Sequence, residues 1–547
     1  MNSILDKYGN KRGFLPLMAI LGGITIGLAW QPPFTFLAFV GLVPLLLIEE
    51  QIYRHDYKRP FLKLFGNAYL YLVTWNITTY WWLWYASGAT TLAAWGANAL
   101  LQIIPVMLFH VSKRASFNKL GYLPFVLYWI SFEYLHLHWD FSWPWLNLGN
   151  VFGFTPSWVQ WYEYTGTFGG TLWILLANIA LFFFLTQKRM LTGFAIAVLL
   201  PLLVSFGIYY TYEDKGTPIE TVVVQPNIDC YKEKYHYNSR TGERNQPTHI
   251  PYRDQVERLI QLSDSKVTPQ TKFVFWPETS LHENFVEDNA PHNWAVQQAI
   301  GFTERHPGVN LVSGVDTYLL YGKKPMTETA RYTKNAGYYD VFNAALFIND
   351  KQELDFYHKS QLVIGVETIP YPAVFKSLLQ DFGGTFGGLG RQKEREAFIN
   401  SDSVGTAPII CYESVYGEFV TGYVKDGANF LAVITNDGWW NTSPGHKQHL
   451  AFSSLRAIET RRSVARAANT GISCFINQRG DIQQPLAYGE MGAVNGTVMQ
   501  NNEITIYTST GDIIAKIAVF VAIFLFISIL VKRKVTVTPF KKKSVVS

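Results

Sequence analysis

The sequence predicts two kinds of structure in one chain, a polytopic α-helical membrane domain and a layered α/β domain. Its composition is 48% hydrophobic and only 16% charged, which is more apolar than that of an ordinary soluble enzyme. Long apolar stretches fill the amino-terminal part and recur near the carboxyl end, whereas short β-rich runs alternate with helix-like segments between them. We therefore expect a membrane domain over residues 1–210, an α/β domain over 211–512, and a last membrane helix with a basic tail over 513–547.

Eight apolar stretches are candidate membrane helices, because each approaches the roughly 20 residues that cross a bilayer. The second is the weakest, since it is short and opens with two prolines, and it could pair with the first as a tight hairpin. In chain order the stretches are Phe14–Trp30, Pro32–Ile48, Leu64–Tyr85, Leu92–His110, Leu120–Leu137, Thr167–Leu185, Leu191–Tyr209 and Ile513–Val531.

Among the short connections between these stretches, lysine and arginine occur only in alternate ones. They precede the first stretch and follow the second, fourth, sixth and eighth, whereas the short loops on the other side, including residues 139–165, contain none. The positive-inside rule assigns such basic connections to the cytoplasm. Both ends of the chain are therefore expected in the cytoplasm, and the α/β domain is expected on the opposite side of the membrane.

Net charge and cysteine usage exclude some classes of function. The net charge of +5 does not indicate a nucleic-acid partner, because much of the basic excess lies in the cytoplasmic loops and tail. The three cysteines, Cys230, Cys411 and Cys474, cannot all pair with one another, so at least one is left as a thiol. The spacing of cysteine and histidine indicates no metal site.

The sequence pattern from about residue 220 to 507 is typical of an α/β domain with both sheet faces covered. Near-continuous apolar runs, among them "TVVVQ", "KFVFW", "NAALFI", "APIIC" and "NFLAVIT", predict buried strands. Tyr252–Ser265 and Gly445–Ala468 are predicted to be helical, and the glycine-rich stretch Asp381–Gly390 is predicted to be a mobile loop.

Three chemically reactive side chains follow predicted strands. Glu278 ends "KFVFWPE", Cys411 ends "APIIC", and Lys359 lies between them in the chain. Ligands of layered α/β proteins collect beyond the carboxyl ends of strands. A carboxylate can take a thiol proton, while a lysine favours the thiolate and stabilises an oxyanion. Each residue alone also has an ordinary explanation as a core cysteine, a helix cap or a solvated lysine, and packing remains the expectation for Cys230 and Cys474.

Taken together, the three segments resemble the nitrilase superfamily. "WPETS" is similar to that superfamily's Glu motif, "YHKSQLV" to its Lys motif and "PIICYES" to its Cys motif, in the same chain order. The segment from "ITNDGWW" to "AANTGIS" also looks like the part that follows the nucleophile. The resemblance implies an αββα fold in which Cys411 is the nucleophile, Glu278 the general base and Lys359 the cation that stabilises the oxyanion.

A nitrilase-like domain placed between the seventh and eighth membrane helices resembles one family in particular, the apolipoprotein N-acyltransferases. The similarity extends to "FSWPWLNLGN", residues 141–150. It implies acyl transfer from a membrane phospholipid to the α-amine of a diacylglyceryl-modified apolipoprotein, without a cofactor. The enzyme implied is a multi-pass monomer of the bacterial inner membrane with a periplasmic catalytic domain. The resemblance also implies supporting roles for Glu367, Tyr412 and Glu413.

The sequence departs from that family at two places. "GVET" moves Gly365 one residue away from Glu367, so the local turn is expected to differ. No tryptophan follows shortly after "QPNI", and Tyr231 or Tyr235 could replace the gating residue expected there.

Two other functions fit parts of the sequence. A membrane-tethered amidase that hydrolyses a small C–N substrate would use the same three residues but would need no more than one anchor helix. A transporter or receptor would use the helices but would not require the Glu, Lys and Cys segments together.

Overall fold

The computed structural model describes residues 11, 13–116, 118–239, 241–371 and 388–537, with side chains described up to residue 531. Most of the predicted glycine-rich loop, residues 381–387, lies outside these ranges. The same holds for Lys7, for Arg12 and for the side chains of the basic tail.

A helix lies at each of the eight predicted apolar stretches. Five of them, α2, α4, α6, α7 and α12, are long and apolar enough to cross a membrane by length and composition, as far as the described residues extend. The bounds are α1 Phe14–Leu28, α2 Phe34–Arg54, α3 Pro60–Tyr80, α4 Thr90–Ala115, α5 Leu123–His136, α6 Thr167–Gln187 and α7 Leu191–Thr211, with α12 at Ile513–Val537.

The second helix is longer than its apolar run predicts. α2 continues past Ile48 to Arg54, although Glu49 and Glu50 are charged. Lys113 of α4 donates to Glu49 at 2.5 Å and to Glu50 at 2.6 Å, and all three side chains are buried. Buried charges that are paired in this way are tolerated inside a protein, so the helix does not end where its hydrophobic stretch ends.

The α/β domain begins directly after α7. Its described residues contain fourteen strands and four helices of eight residues or more. The strands are β1 Thr217–Gln225, β2 Thr271–Phe275, β3 Leu281–Val286, β4 Asn310–Gly322, β5 Arg331–Thr333, β6 Gly337–Ile348, β7 Leu354–His358, β8 Phe398–Ile399, β9 Gly405–Ile410, β10 Phe430–Thr435, β11 Val464–Ala468, β12 Cys474–Ile476, β13 Ile482–Gln483 and β14 Gly492–Gln500. The helices are α8 Tyr252–Asp264, α9 Trp294–Arg305, α10 Gly417–Lys425 and α11 Gly445–Thr460.

These strands form two sheets. The first has the order β14-β1-β2-β4-β6-β5, with β3 paired to β4 and β7 paired to β6. The second has the order β13-β12-β11-β10-β9-β8. Its central strands β9, β10 and β11 are parallel, as are β1, β2 and β4 of the first sheet. Parallel strands covered on both faces account for the nearly continuous apolar runs in the sequence.

Four layers result from the packing of these sheets. One apolar core lies between the sheets and includes Val223, Phe275, Ile409 and Val433. A second core lies between the first sheet and helices α8 and α9, while α10 and α11 cover the second sheet. This αββα arrangement confirms the predicted fold class.

The α/β domain is joined to the membrane helices by a shared core. Tyr412, Tyr416 and residues of α11 such as Phe452 belong to the same apolar cluster as the membrane helices and the 144–158 connection. The two backbones approach closely, because a Cβ added at Gly153 would lie 2.8 Å from the carbonyl oxygen of Ala451. The end of β9 therefore faces the membrane domain.

Candidate active site

Cys411 occupies a strained turn at the end of β9. It has φ 51°, in the left-handed region that residues other than glycine rarely adopt. It opens the single helical turn Cys411–Val415, and its carbonyl oxygen accepts a hydrogen bond from Ser414 Oγ at 2.8 Å. Strained backbone of this kind persists where the surrounding structure fixes it, which is frequent at functional sites.

Glu278 and Lys359 meet at the carboxyl ends of β2 and β7. Lys359 Nζ donates to Glu278 Oε1 at 3.0 Å, and the backbone N–H of Asn436 donates to Glu278 Oε2 at 3.1 Å. The Glu278 carboxylate and the Lys359 ammonium both lie near enough to the Cys411 thiol to act on its protonation. Glu278, Lys359 and Cys411 are buried at 5%, 1% and 8% exposure, so the structure brings the three predicted residues together in a nearly dry centre.

A second carboxylate, Glu367, holds Lys359 from the other side. Lys359 Nζ donates to Glu367 Oε1 at 2.9 Å, and the N–H of Val363 donates to Glu367 Oε2 at 2.8 Å. Gly365, which the sequence places unusually, has φ 79° and lies within this turn. Glu367 thus reaches the lysine in spite of the altered spacing.

Burial and the neighbouring charges determine which of the three side chains, Lys359, Glu278 and Cys411, carry a proton before substrate binds. Burial opposes the charge on Lys359, but Glu278 and Glu367 outweigh it and raise the pKa of Lys359 well above its ordinary value. Burial would raise the pKa of Glu278, yet the charge of Lys359 and hydrogen bonds from Asn343 and Lys359 lower it. Burial and the Glu278 charge raise the pKa of Cys411. At rest the site therefore holds a thiol beside a carboxylate, rather than the thiolate that a neighbouring lysine alone would favour.

Glu413 connects the turn that begins at Cys411 to the segment that follows Lys359. Its Oε1 accepts from the N–H of Ser360 at 2.7 Å and from the Tyr357 hydroxyl at 2.8 Å. Its Oε2 accepts from the N–H of Ile410 at 2.9 Å and from the Tyr423 hydroxyl at 3.1 Å. The contacts described for Glu413 do not include the Cys411 thiol, so its geometry is that of a positioning residue.

Tyr412 directs its side chain towards the membrane domain and away from the triad formed by Glu278, Lys359 and Cys411. Its hydroxyl donates to the carbonyl of Ser142 at 3.4 Å, and its ring is stacked with Trp143 at a centroid distance of 6.0 Å. Only the backbone of Tyr412 is therefore placed next to the nucleophile.

Asn343 is a site residue that sequence reasoning missed. Its Nδ2 donates to Glu278 Oε1 at 2.8 Å and to Glu367 Oε1 at 3.0 Å, so one amide orients both carboxylates. The sequence signal was an asparagine opening the apolar run "NAALFI" of β6. A polar residue at that position is otherwise unexpected in a buried strand.

A buried network behind the nucleophile was also missed. His449 Nδ1 lies 2.8 Å from Asp437 Oδ1, and His449 Nε2 lies 3.0 Å from the carbonyl oxygen of Cys411. Arg466 donates to Asp437 Oδ2 at 2.7 Å. All three residues lie in the segment that resembles the superfamily after the nucleophile, but no spacing rule assigned them a role. Their contacts fix the backbone of the strained turn.

The two candidate gating tyrosines have different surroundings. The Tyr231 hydroxyl donates to the carbonyls of Tyr85, in the membrane domain, and Trp439, at 3.2 and 2.9 Å. Tyr235 packs its ring against His282 at 4.9 Å. Tyr231 is thus the one that bridges the two domains.

Cys230 and Cys474 are buried free thiols, as packing residues would be. Burial raises the pKa of both. In the part of the chain that the structure describes, no group of three or more His, Cys, Asp or Glu side chains could hold a metal ion.

Comparison with known proteins extends over both domains. A family model described as "Apolipoprotein N-acyltransferase N-terminal domain" matches residues 22–180, and one described as "Carbon-nitrogen hydrolase" matches residues 251–502. The chain is 26% identical to the apolipoprotein N-acyltransferase of Chlorobaculum tepidum, over 95% of this chain and 96% of that protein. It is 24% identical to apolipoprotein N-acyltransferase 1 of Treponema denticola, over 94% of this chain and 97% of that protein.

A solved structure from the nitrilase superfamily is similar to part of the chain. The Saccharomyces cerevisiae member of branch 10 of the nitrilase superfamily covers 55% of this chain and 95% of its own, with 13% identity and a TM-score of 0.36. Both family models and the nearly full-length relatives lead to one conclusion: the chain belongs to the apolipoprotein N-acyltransferase family of acyltransferases, and its carboxyl-terminal part is a carbon–nitrogen hydrolase domain.

Proposed function

We propose that this protein transfers an acyl chain from a membrane phospholipid, through a thioester on Cys411, to the α-amine of the lipid-modified N-terminal cysteine of a lipoprotein. The observation that carries the proposal is the buried thiol of Cys411 beside the Glu278–Lys359 ion pair. That centre lies where the carbon–nitrogen hydrolase domain packs on apolar helices. The enzyme acts as a monomer and uses no cofactor.

In the first half-reaction Glu278 takes the thiol proton while the Cys411 sulfur attacks an ester carbonyl of the phospholipid. The oxyanion is stabilised by Lys359 Nζ and by the backbone N–H of Tyr412. When the C–O bond breaks, Glu278 returns the proton to the departing lysophospholipid. The acyl chain remains on Cys411 as a thioester. The resting thiol and ionised Glu278 are the starting protonation states that this step needs.

In the second half-reaction the lipoprotein amine attacks the thioester carbonyl. Glu278 takes a proton from the attacking nitrogen and delivers it to the Cys411 sulfur as the C–S bond breaks. The same Lys359 and Tyr412 groups stabilise the second oxyanion. Water competes poorly in a buried centre, so an amine delivered from the membrane has the advantage.

Both substrates are lipids, so the site must be reached from a bilayer. Tyr412 contacts the 139–165 connection, which contains no lysine or arginine, and this supports a catalytic domain on the periplasmic side of the inner membrane. The membrane-tethered amidase is the weaker candidate. The curated relatives that match along nearly the whole chain are named apolipoprotein N-acyltransferases, and a small soluble substrate would need no polytopic domain.

Intact-mass measurement of the acyl-enzyme tests the proposal. Given phospholipid without acceptor, the wild-type protein should gain one acyl chain, which neutral hydroxylamine should remove. A diacylated lipopeptide should discharge it productively with formation of the amide. Cys411→Ala should take up no chain, whereas Cys230→Ala and Cys474→Ala are matched controls that should acylate like the wild type. An acylated Cys411→Ala protein, or a wild type that transfers without ever acylating, would rule out this route.

A further inference from the structure

One row of paired residues leads from the core between the sheets to the active site. Val312 of β4 pairs with Phe347 of β6, and further along the same strands Asp316 pairs with Asn343. Residues directly opposite in an antiparallel pair project to the same face, and residues an even number of positions apart share that face. Val312 and Phe347 lie in the core between the sheets. Asp316 therefore projects into the same space, beside Asn343.

This position places Asp316 next to the general base. The Asn343 amide is bonded to Glu278, as described above. The β4 backbone passes directly against the base, since a Cβ added at Gly314 would lie 2.5 Å from the Cα of Glu278. Asp316 follows two residues later on the same face. No motif or spacing in the chain singles out this aspartate.

Asp316 is partly exposed, unlike the three triad residues. Within the described parts of the chain it forms no ion pair and no side-chain hydrogen bond. Lys234, a nearby cation, instead donates to Thr279 Oγ1. An acidic group that reaches solvent at the edge of the active centre is thus left available for a ligand.

The charge balance around Asp316 favours an additional cation. Three carboxyl groups, of Glu278, Glu367 and Asp316, interact there with the two ammonium groups of Lys234 and Lys359. Burial, together with Glu278 and Glu367, raises the pKa of Asp316 to about 7 against the opposing effect of the two lysines. A further positive charge beside Asp316 would stabilise its ionised form.

We propose that Asp316 binds the protonated α-amine of the acceptor lipoprotein and removes its first proton before the second half-reaction. The proposal rests on the acyl-transfer function above. An α-amine is mostly an ammonium ion at neutral pH, since its pKa is about 7.7 to 8.0. One N–H proton passes to the Asp316 carboxylate, which leaves a neutral amine able to attack the thioester carbonyl. Glu278 then carries the second proton from nitrogen to the Cys411 sulfur, and Asp316 releases the first to solvent.

The Asp316→Asn variant of the full-length enzyme tests this assignment, because the two half-reactions can be measured separately. Lysophospholipid release without acceptor and discharge of the thioester by hydroxylamine, a neutral nucleophile at pH 7, should stay within about twofold of the wild type. The KM for a diacylated lipopeptide should rise about 10-fold to 100-fold, the loss expected for a hydrogen bond to a charged group. Asp402→Asn, an exposed change elsewhere in the same domain, should leave all three values unchanged.

The outcomes separate the two proposals. An unchanged KM for the lipopeptide would overturn the role of Asp316. Equal slowing of hydroxylamine and lipopeptide would also overturn it, because Asp316 would then act through the triad. Failure of the wild type to form a thioester would instead defeat the proposed function.

A measurement on the wild type covers the case in which the variant does not fold. A lipopeptide whose α-amine is replaced by a hydroxyl should compete with the acceptor at least about tenfold more weakly than an amine-bearing lipopeptide. Equal competition would show that the site does not recognise the ammonium charge, and the assignment of Asp316 would be wrong.

Discussion

Helices α7 and α11 reverse the usual relation between composition and burial. α7 is strongly apolar, with a mean hydropathy of 2.3 in its most apolar window, yet Ser205 is its one buried residue. α11, "GHKQHLAFSSLRAIET", is rich in polar and charged residues, yet every residue except Lys447 is buried. The solvent of α7 is lipid, in which apolar side chains are stable when exposed. Helix α11 is instead surrounded by other parts of the protein.

Several buried polar residues of α11 have a specific partner. Gln448 accepts a hydrogen bond from Trp145 Nε1 at 2.8 Å, and Arg456 donates to Glu459 at 2.7 and 2.9 Å. His449 reaches the carbonyl of Cys411. Satisfied buried polar groups specify one arrangement, whereas exposed leucines tolerate many. α11 can therefore hold the nucleophile turn in register, a task for which the uniform apolar surface of α7 offers no specific contact.

The largest effect should come from neutralising the buried base. Glu278→Gln keeps the hydrogen-bonding reach of the side chain but cannot accept a proton, so acylation should slow by about 10²- to 10⁴-fold. The rate of lysophospholipid release measures this loss. Glu220→Gln, a conservative change on β1, is the control and should keep its rate. A wild-type rate from Glu278→Gln would mean that buried charge in this domain is structural.

The second test breaks the ion pair inside α11. Arg456→Met leaves Glu459 buried at 0% exposure without its partner and frees the carbonyls of Ser414 and Val415. The free energy of unfolding should fall by about 3 to 5 kcal/mol. Denaturant unfolding in detergent measures it. Arg305→Met removes an exposed pair with Asp264 and should cost about 1 kcal/mol or less.

The third test makes one substitution in both helices. Leu455→Ala in α11 removes a side chain with 0% exposure and should cost about 2 to 5 kcal/mol. Leu203→Ala in α7 changes a side chain that is 67% exposed and should stay within about 0.5 kcal/mol. Similar losses in the two variants, measured by the same unfolding assay, would contradict the contrast between the helices.

The smallest effect should be that of pH on acylation. Glu278 must be ionised, and because its pKa is lowered its charge is lost only as pH falls below the ordinary range of a glutamate. Lys359 must be protonated, and because its pKa is raised its charge is lost only as pH rises above that of an ordinary lysine. The acylation rate without acceptor should therefore be flat from about pH 5 to about pH 9. A midpoint inside that window would show that solvent, rather than the buried partners, controls these charges.

The predictable parts of the molecule were those that depend on local pattern. Apolar runs located all eight helices, and the ends of "KFVFWPE" and "APIIC" located Glu278 and Cys411 just beyond β2 and β9. The length of α2 was not predictable, because its continuation depends on Lys113, a residue of another helix.

The unpredicted site residues depend on register between distant strands. Asn343 reaches Glu278 because β6 pairs with β4 in one particular alignment, which no local pattern of the chain specifies. Likewise His449 meets Cys411 only because α11 packs across the second sheet. Such contacts follow from packing, so composition and spacing alone cannot assign them.

Glu413 has a consequence for inhibition. One oxygen of Glu413 accepts from the N–H of Ile410, next to Cys411, and the other accepts from the N–H of Ser360, next to Lys359. The Cys411 sulfur and the Lys359 ammonium are therefore held in one rigid frame. A phospholipid and a lipoprotein differ greatly in shape, yet each must bring its reacting carbonyl to the same point of that frame. The tetrahedral species of the two steps should therefore superimpose at their central carbon. A single compound that mimics this carbon and its oxyanion should block donor and acceptor turnover with equal strength.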